Sequence, residues 1–190
     1  MLRLEHISKM YPTGEVLKDV TWEGKVGDRI GLVGVNGAGK STQLKIIMGL
    51  IEPTTGTVAR PADLHIGYLT QEFEVDPSRT VREEFWTVFA EANAVQQELT
   101  HLPQRMEKAD PNELEALIQR MDKLQRKFEA LNGYGLDARI EKILPEMGFD
   151  SDAGDQLVSA FSGGWQMRMS LGKILLQNPD VLLLDEPTNH

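Results

Sequence analysis

Gly34-Val35-Asn36-Gly37-Ala38-Gly39-Lys40-Ser41-Thr42 satisfies the phosphate-binding pattern G-x-x-x-x-G-K-[ST] without a mismatch. Its residue types are those an anion cradle requires. Glycines that tolerate positive φ let successive backbone N–H groups turn inward as a nest, and no Cβ blocks an approaching phosphate. Lys40 supplies a point charge for β- and γ-phosphates, and the Ser41 hydroxyl suits Mg2+. A helix starting near Lys40 aims its positive end at the same anion. At average residue frequencies the full pattern arises by chance in a chain of this length about 1% of the time, as a glycine-rich turn with no ligand.

The flanks supply the setting such a loop needs. Arg29-Ile30-Gly31-Leu32-Val33 reads as a buried strand running into the loop, and residues 43–51 carry helical apolar spacing at Leu44, Ile47, Met48 and Ile51. Upstream, residues 2–7 and 16–22 read as strands joined by the turn Tyr11-Pro12-Thr13-Gly14, and Gly27-Asp28 turns the chain toward the loop. Downstream, Pro53-Thr54-Thr55-Gly56 leads into a strand at 57–60, and residues 64–69 form another that ends toward Gln71.

From Thr80 the period changes. Val81, Phe85, Val88, Ala92, Val95, Leu99, Leu102 and Met106 alternate four and three residues apart, a heptad seam on one long helix that Pro103 ends or kinks. Asp110-Pro111-Asn112-Glu113 then offers an N-cap, a proline at the first helical position and a glutamate at capping-box spacing. A second seam, Leu114, Leu117, Met121, Leu124, Phe128 and Leu131, runs to the stop signal Asn132-Gly133, giving roughly 20 residues or about 30 Å of helix. Two seams of matching period predict an antiparallel hairpin.

A shorter helix over 137–147, interrupted by Pro145 and stopped by Gly148, precedes Phe161-Ser162-Gly163-Gly164-Trp165-Gln166-Met167-Arg168. There Ser162 is placed to cap a helix that runs to about residue 177, before Asn178-Pro179-Asp180. Val181-Leu182-Leu183-Leu184-Asp185-Glu186 is an apolar run closing on two carboxylates. That is the pattern of a buried parallel strand delivering acids to the carboxyl edge of a sheet. A solvated strand end is the plainer reading of two acids, and so apolar a lead argues against it.

The composition is that of a globular domain: 190 residues, 41% hydrophobic and 26% charged. The absence of cysteine excludes a disulfide framework, a thiolate nucleophile and a zinc-thiolate centre, and suits a cytoplasmic protein. Met1-Leu2-Arg3-Leu4-Glu5-His6 lacks the apolar core of a signal peptide, and no apolar run reaches spanning length, so no membrane insertion is expected. A net charge of −9 argues against a surface that binds polyanions as a whole, leaving local contacts only. His6, His65 and His101 lack ligand spacing and read as surface or packing residues.

Three motifs in order, the phosphate loop, Ser162-Gly163-Gly164 and the apolar strand with Asp185-Glu186, resemble the nucleotide-binding domain of ATP-binding cassette proteins over nearly the whole chain. More narrowly, Asp185-Glu186-Pro187-Thr188-Asn189-His190 and the helical insertion ahead of Ser162 resemble the ABC-F subfamily, soluble tandem-cassette ATPases that act on ribosomes. The resemblance implies an α/β fold, a P-loop cassette with an N-terminal β subdomain and a helical hairpin inserted within a helical subdomain. On that reading residues 1–79 form the β subdomain and phosphate-loop core, 80–160 the helical subdomain with its arm, and 161–190 the signature helix and the acid-bearing strand. The chain is then a first nucleotide-binding domain, with the C-terminal part of the cassette beyond residue 190.

The same resemblance assigns roles. Tyr11 resembles the aromatic that stacks on adenine, although an aromatic at such a turn also serves as rim packing. Gly34, Asn36, Gly37, Ala38, Gly39, Lys40, Ser41 and Thr42 hold the phosphates of ATP. Ser41, Gln71 and Asp185 belong to the Mg2+ shell, Gln71 linking metal and water to the helical subdomain, although a lone Gln at a strand end is more often a surface residue. Glu186 resembles the base that polarises the attacking water. Ser162, Gly163 and Gly164 resemble the signature that touches the γ-phosphate of ATP held by the opposite cassette; as a bare S-G-G they mark only a helix cap. Trp165 departs from the glutamine of the commonest transporter signature, which leaves side-chain contacts there open. His190 is not the family's γ-phosphate histidine, which follows a further strand.

The implied activity is ATP hydrolysis to ADP and phosphate in the intact protein, with residues 1–190 inactive alone, and the implied partners are a second cassette and, through the helical arm, the ribosome and transfer RNA. The alternative is the nucleotide-binding subunit of a membrane transporter, whose helical subdomain would grip coupling helices without needing so long a heptad-paired excursion. A DNA-repair or chromosome ATPase is a distant third, since neither zinc modules nor very long coiled coils are visible. On the second hairpin helix, Arg120, Lys123 and Lys127 form a stripe on one flank of the seam, and Glu115, Asp122 and Glu129 gather on the other. Arg105 and Lys108 sit at the expected tip, and Arg126 is placed for a routine ion pair with Asp122. Such a stripe either contacts phosphates or serves solubility alone.

Overall fold

The computed structural model describes residues 1–70, 75–150 and 152–187, so Gln71 and His190 lie outside the described residues. The chain forms two compact units, one of residues 1–72 with 178–190 and one of residues 73–177.

In the first unit β1 (Leu2–Tyr11) pairs antiparallel with β2 (Gly14–Gly24) on one side and with β3 (Thr55–Ala59) on the other. Leu2, Leu4 and Ile7 all face the core although the last two are an odd number of residues apart. A bulge resolves this. His6 and Asp19 both take positive φ, 52° and 50°, and the register slips there, flipping the side-chain parity. Hydroxyls replace the lost ladder bonds, His6 N–H donating to Thr21 Oγ1 and Asp19 N–H to Ser8 Oγ, each at 2.9 Å. On this face α1 (Lys40–Met48) buries Leu44, Ile46 and Ile47 in a cluster that also contains Leu183. The helix stops at Gly49 with φ 78°, where Gly49 N–H bonds Ile46 O and Leu50 N–H bonds Lys45 O in a Schellman arrangement.

β4 (Ile66–Leu69) and β5 (Val181–Leu184) pair in parallel, from Ile66 beside Val181 to Leu69 beside Leu184. Two expectations are corrected here. Residues 29–33 form no strand, and Val33 is 98% exposed. An apolar run becomes a strand only where a ladder partner takes its N–H and C=O groups, and the β4–β5 sheet contains those two strands alone among the described residues. For the same reason β5 is buried on one face only, through Leu183, while Leu182 and Leu184 are exposed.

In the second unit Thr80 and Glu83 close a capping box in front of α2 (Val81–Trp86), with Thr80 N–H on Glu83 Oε2 at 2.8 Å and Glu83 N–H on Thr80 Oγ1 at 3.2 Å. The expected single helix is broken: a 3₁₀ turn over Thr87–Phe89 precedes α3 (Ala90–Met106). The Thr87 hydroxyl bonds Glu84 O at 2.7 Å, and Phe89 leaves helical geometry at φ −104°, ψ 49°. Pro103 does not end α3, which continues to Met106. α4 (Pro111–Ala130) starts at the expected proline, with Glu113 N–H on Asp110 Oδ1 at 2.9 Å.

Every apolar position of both seams is buried or half-buried, so the heptad pattern does face inward. Three interhelical ion pairs, Arg105–Glu113, Arg120–Glu98 and Lys127–Glu91, fix the register: each step of seven residues down α3 is matched by seven up α4, as antiparallel helices require. α5 (Leu136–Glu146) and α6 (Gly163–Leu176) complete the unit. Its core is built on the fully buried Val81, Phe85, Ile140, Val158 and Met169, with Phe85 edge-on to Phe149 at 6.5 Å.

Candidate nucleotide-binding site

The phosphate loop closes on itself through Ala38 N–H to Val35 O at 3.1 Å and turns into α1 through Gly37 and Gly39, at φ 83° and 88°. Gly39 is required twice over. Besides its φ, a Cβ there would lie 2.6 Å from Leu17 Cδ2 and 3.1 Å from Val16 O. Gly39 gives α1 no side-chain cap, and its first turn holds no acidic residue, so the leading N–H groups of the helix keep their pull on an anion. They border a cavity of about 280 Å³ lined by Val16, Asn36, Gly37, Gly39, Lys40, Ser41, Thr42 and Glu186. Lys40 Nζ donates to Gly34 O at 2.8 Å and Val35 O at 3.1 Å, which holds the ammonium beside the loop.

Asp185, buried at the end of β5, is gripped from both sides. Its Oδ1 accepts from Ser41 Oγ at 2.8 Å, its Oδ2 from the Tyr68 hydroxyl at 3.1 Å, and its N–H donates to Leu69 O at 3.0 Å. Burial, then the Asp185 charge, then their hydrogen bond push the Tyr68 phenol up to about 12, so it stays a donor. Sequence reasoning missed Tyr68. The signal lies in the register: Tyr68 pairs with Leu183, Asp185 lies two residues on along the same face, and a phenol reaches across that rise of about 6.6 Å. Glu186 lines the cavity from a left-handed backbone at φ 49°, a conformation that costs a non-glycine residue on the order of 1 kcal/mol.

These residues fit a Mg2+-triphosphate. Among the described residues no three His, Cys, Asp or Glu side chains converge. The Ser41 hydroxyl and Asp185 carboxylate are the hard oxygens such an ion takes, and the uncapped helix and loop N–H groups suit the phosphates.

Tyr11 is not among the residues that line this cavity. Tyr11 ends β1, half-buried, with Lys9 Nζ 5.3 Å from its ring centroid. Ser162, Gly163 and Gly164 belong to the second unit. Ser162 occupies the N-cap position of α6, but its hydroxyl makes no cap bond, contrary to expectation; instead its carbonyl accepts from Trp165 N–H and Gln166 N–H at 3.0 Å each. The Gln166 amide reaches Phe161 O at 3.1 Å and tightens that turn. Trp165 packs against Phe149 and Phe161, ring centroids 5.0 and 6.2 Å away, and Arg168 stacks on it at 4.6 Å. Its side chain is therefore a packing group.

A phosphate loop running into an uncapped helix and facing a strand-end aspartate, with a second glycine motif later in the chain at the start of α6, defines a nucleotide-binding domain of the cassette type. Residues 17–189 match the family described as ABC transporter, and the chain belongs to that family. It is 53% identical to ABC transporter F family member 5 of Arabidopsis thaliana over 193 residues, covering 100% of this chain and 28% of that protein. It is 33% identical to the energy-dependent translational throttle protein EttA of Escherichia coli (strain K12) over 180 residues, 94% of this chain and 32% of that one. The chain thus spans about a third or less of the length of these relatives. Among solved structures, the dimeric post-hydrolysis state of the ATP-binding cassette MJ0796 bound to ADP and Pi shares the fold, with a TM-score of 0.64 at 24% identity over 100% of this chain and 75% of that one.

Proposed function

We propose that this chain binds Mg2+-ATP and, in the full-length protein, hydrolyses it to ADP and phosphate as one cassette of a cytoplasmic tandem-cassette ABC-F protein acting on the ribosome in translation. The observation that carries the ATP reading is the Ser41–Asp185 hydrogen bond beside the uncapped start of α1. Mg2+, when bound, neutralises charge on the β- and γ-phosphates. Lys40 exchanges its loop carbonyls for phosphate oxygens, Asp185 and Ser41 serve the metal shell, and Tyr68 keeps Asp185 in place. Glu186 orients the attacking water and takes up its proton, Tyr11 stacks on the base, and Gln71 completes the shell. Ser162, Gly163 and Gly164 serve ATP on a second cassette, a reading supported by the dimeric state of the MJ0796 cassette.

The translation reading is supported by the F family relatives, by the name of EttA and by the α3–α4 hairpin. No helix among the described residues is long and apolar enough to cross a membrane. The hairpin's charges refine the reading. Arg120 and Lys127 pair with acids of α3, Arg105 pairs with Glu113 of α4, and Arg126 pairs with Asp122 at 2.9 Å, so phosphate contact falls to Lys123 and to Lys108 near the tip. The test is Glu186→Gln in the full-length protein: ATP should trap a closed state that co-sediments with ribosomes. Nucleotide-independent co-sedimentation, or none, would return weight to a transporter motor.

A further inference from the structure

We infer that Glu84 is a positioning residue for the proposed ATPase: it ties the loop that opens the helical unit to α6, so that Ser162, Gly163 and Gly164 are presented as one body with that loop. This rests on the reading of the chain as one cassette of an ATPase.

Glu84 is 1% exposed, a carboxylate on a helix whose Val81 and Phe85 are fully buried. Burying a charge is costly unless it is paired and hydrogen-bonded. The pairing is complete. Glu84 Oε2 accepts from Arg79 Nη1 at 3.2 Å and from Asp76 N–H at 3.4 Å, and Oε1 is paired with Lys173 Nζ. Arg79 Nε also lies 3.5 Å from Asp76 Oδ2, so two acids face two cations. The Ser78 hydroxyl and then its N–H hold the Asp76 carboxyl below the usual carboxylate range, with the Arg79 charge adding to them.

What the network joins matters more than its strength, since an apolar replacement of a buried ion pair is often equally stable. Asp76 and Arg79 lie just after the chain passes into the helical unit, and Lys173 lies just before it leaves. Backbone bonds fasten the same loop to the run leading into Ser162: Val158 N–H to Arg79 O at 2.9 Å, Val81 N–H to Gln156 O at 3.0 Å and Ser159 N–H to Pro77 O at 3.2 Å. The loop therefore holds the approach to α6 through the backbone and its last turn through Glu84. Gly172 removes any slack between α2 and α6, because a Cβ there would lie 2.7 Å from Phe85 Cε1.

The experiment uses the full-length protein and compares wild type, Glu84→Gln, Glu84→Asp and the double variant Glu84→Leu with Lys173→Met, which removes one acid and one cation together. Turnover, ATP affinity and melting temperature are measured on each. The phosphate loop belongs to the other unit, so ATP affinity should stay within about twofold, while kcat falls about tenfold or more in Glu84→Gln because small misplacements of catalytic groups are costly. Glu84→Asp should recover part of kcat. The double variant should recover the melting temperature and not the kcat, which separates positioning from stability. Wild-type kcat in the double variant, or a kcat loss that tracks the melting temperature across the set, would overturn the proposal. Wild-type turnover that survives Lys40→Ala would instead overturn the ATPase reading, and this proposal with it.

Discussion

Ser41 Oγ donates to Asp185 Oδ1 at 2.8 Å across 144 positions of sequence, joining the start of α1 to the end of β5. Neither residue alone makes a metal site, and together they present adjacent hard oxygens beside a phosphate cradle. Ser41→Ala should therefore lose the Mg2+-dependent part of ATP affinity, about tenfold, while binding in chelator changes little. Titrations with and without Mg2+ check this; equal losses in both would place Ser41 outside the metal shell.

Tyr68→Phe removes the donor on the other carboxylate oxygen without changing the core volume much. The variant should need several-fold more Mg2+ for half-maximal turnover. Its pH behaviour has a definite sign. The phenol rises from 10.0 to about 12 in the folded state, so the stabilisation is present below pH 10 and is lost as pH climbs from 10 toward 12. Alkaline melting curves should fall less steeply for Tyr68→Phe, and tyrosinate absorbance should show one of the three tyrosines titrating late in the wild type.

Gly172→Ala sets two effects against each other. Alanine in a helix interior gains up to about 1 kcal/mol over glycine, whereas overpacking a core costs about 1–3 kcal/mol. With Phe85 Cε1 at 2.7 Å, Phe85 Cζ at 2.9 Å and Met147 Cγ at 3.1 Å from the new Cβ, the clash should win. A lowered denaturant midpoint is expected; a raised one would mean that α2 and α6 slide apart freely.

In the hairpin, the pair variant Arg120→Gln with Lys127→Gln should change stability by less than about 1 kcal/mol, because these ion pairs are largely exposed. It should also leave ribosome binding nearly intact. Changing Lys108 and Lys123 to Gln should weaken co-sedimentation and flatten its salt dependence, with ATP affinity unchanged. The opposite ranking would show that the interhelical pairs open on contact with phosphate.

What was legible in the sequence was what is local. The glycine loop, the start of α4 at Pro111 and both heptad seams are set by spacings within one stretch, and they hold in the structure. What was not legible depends on distant partners. Residues 29–33 have strand composition but no ladder neighbour, and Leu182 and Leu184 lie on the uncovered face of β5. The break between α2 and α3 comes where Phe89 leaves helical geometry, inside an unbroken heptad pattern that gives no sign of it. Tyr68 and Glu84 acquire their importance only when register brings Asp185 to one and folding brings Lys173 to the other.

In the proposed function Lys40 supplies the positive charge that holds a triphosphate at the 34–42 loop. The most direct measurement is an ATP titration of the full-length protein against its Lys40→Ala variant, in the presence of Mg2+ and with folding verified by melting temperature. The affinity of this cassette should fall by about a hundredfold or more at an unchanged melting temperature. Wild-type affinity in a folded Lys40→Ala protein would contradict it.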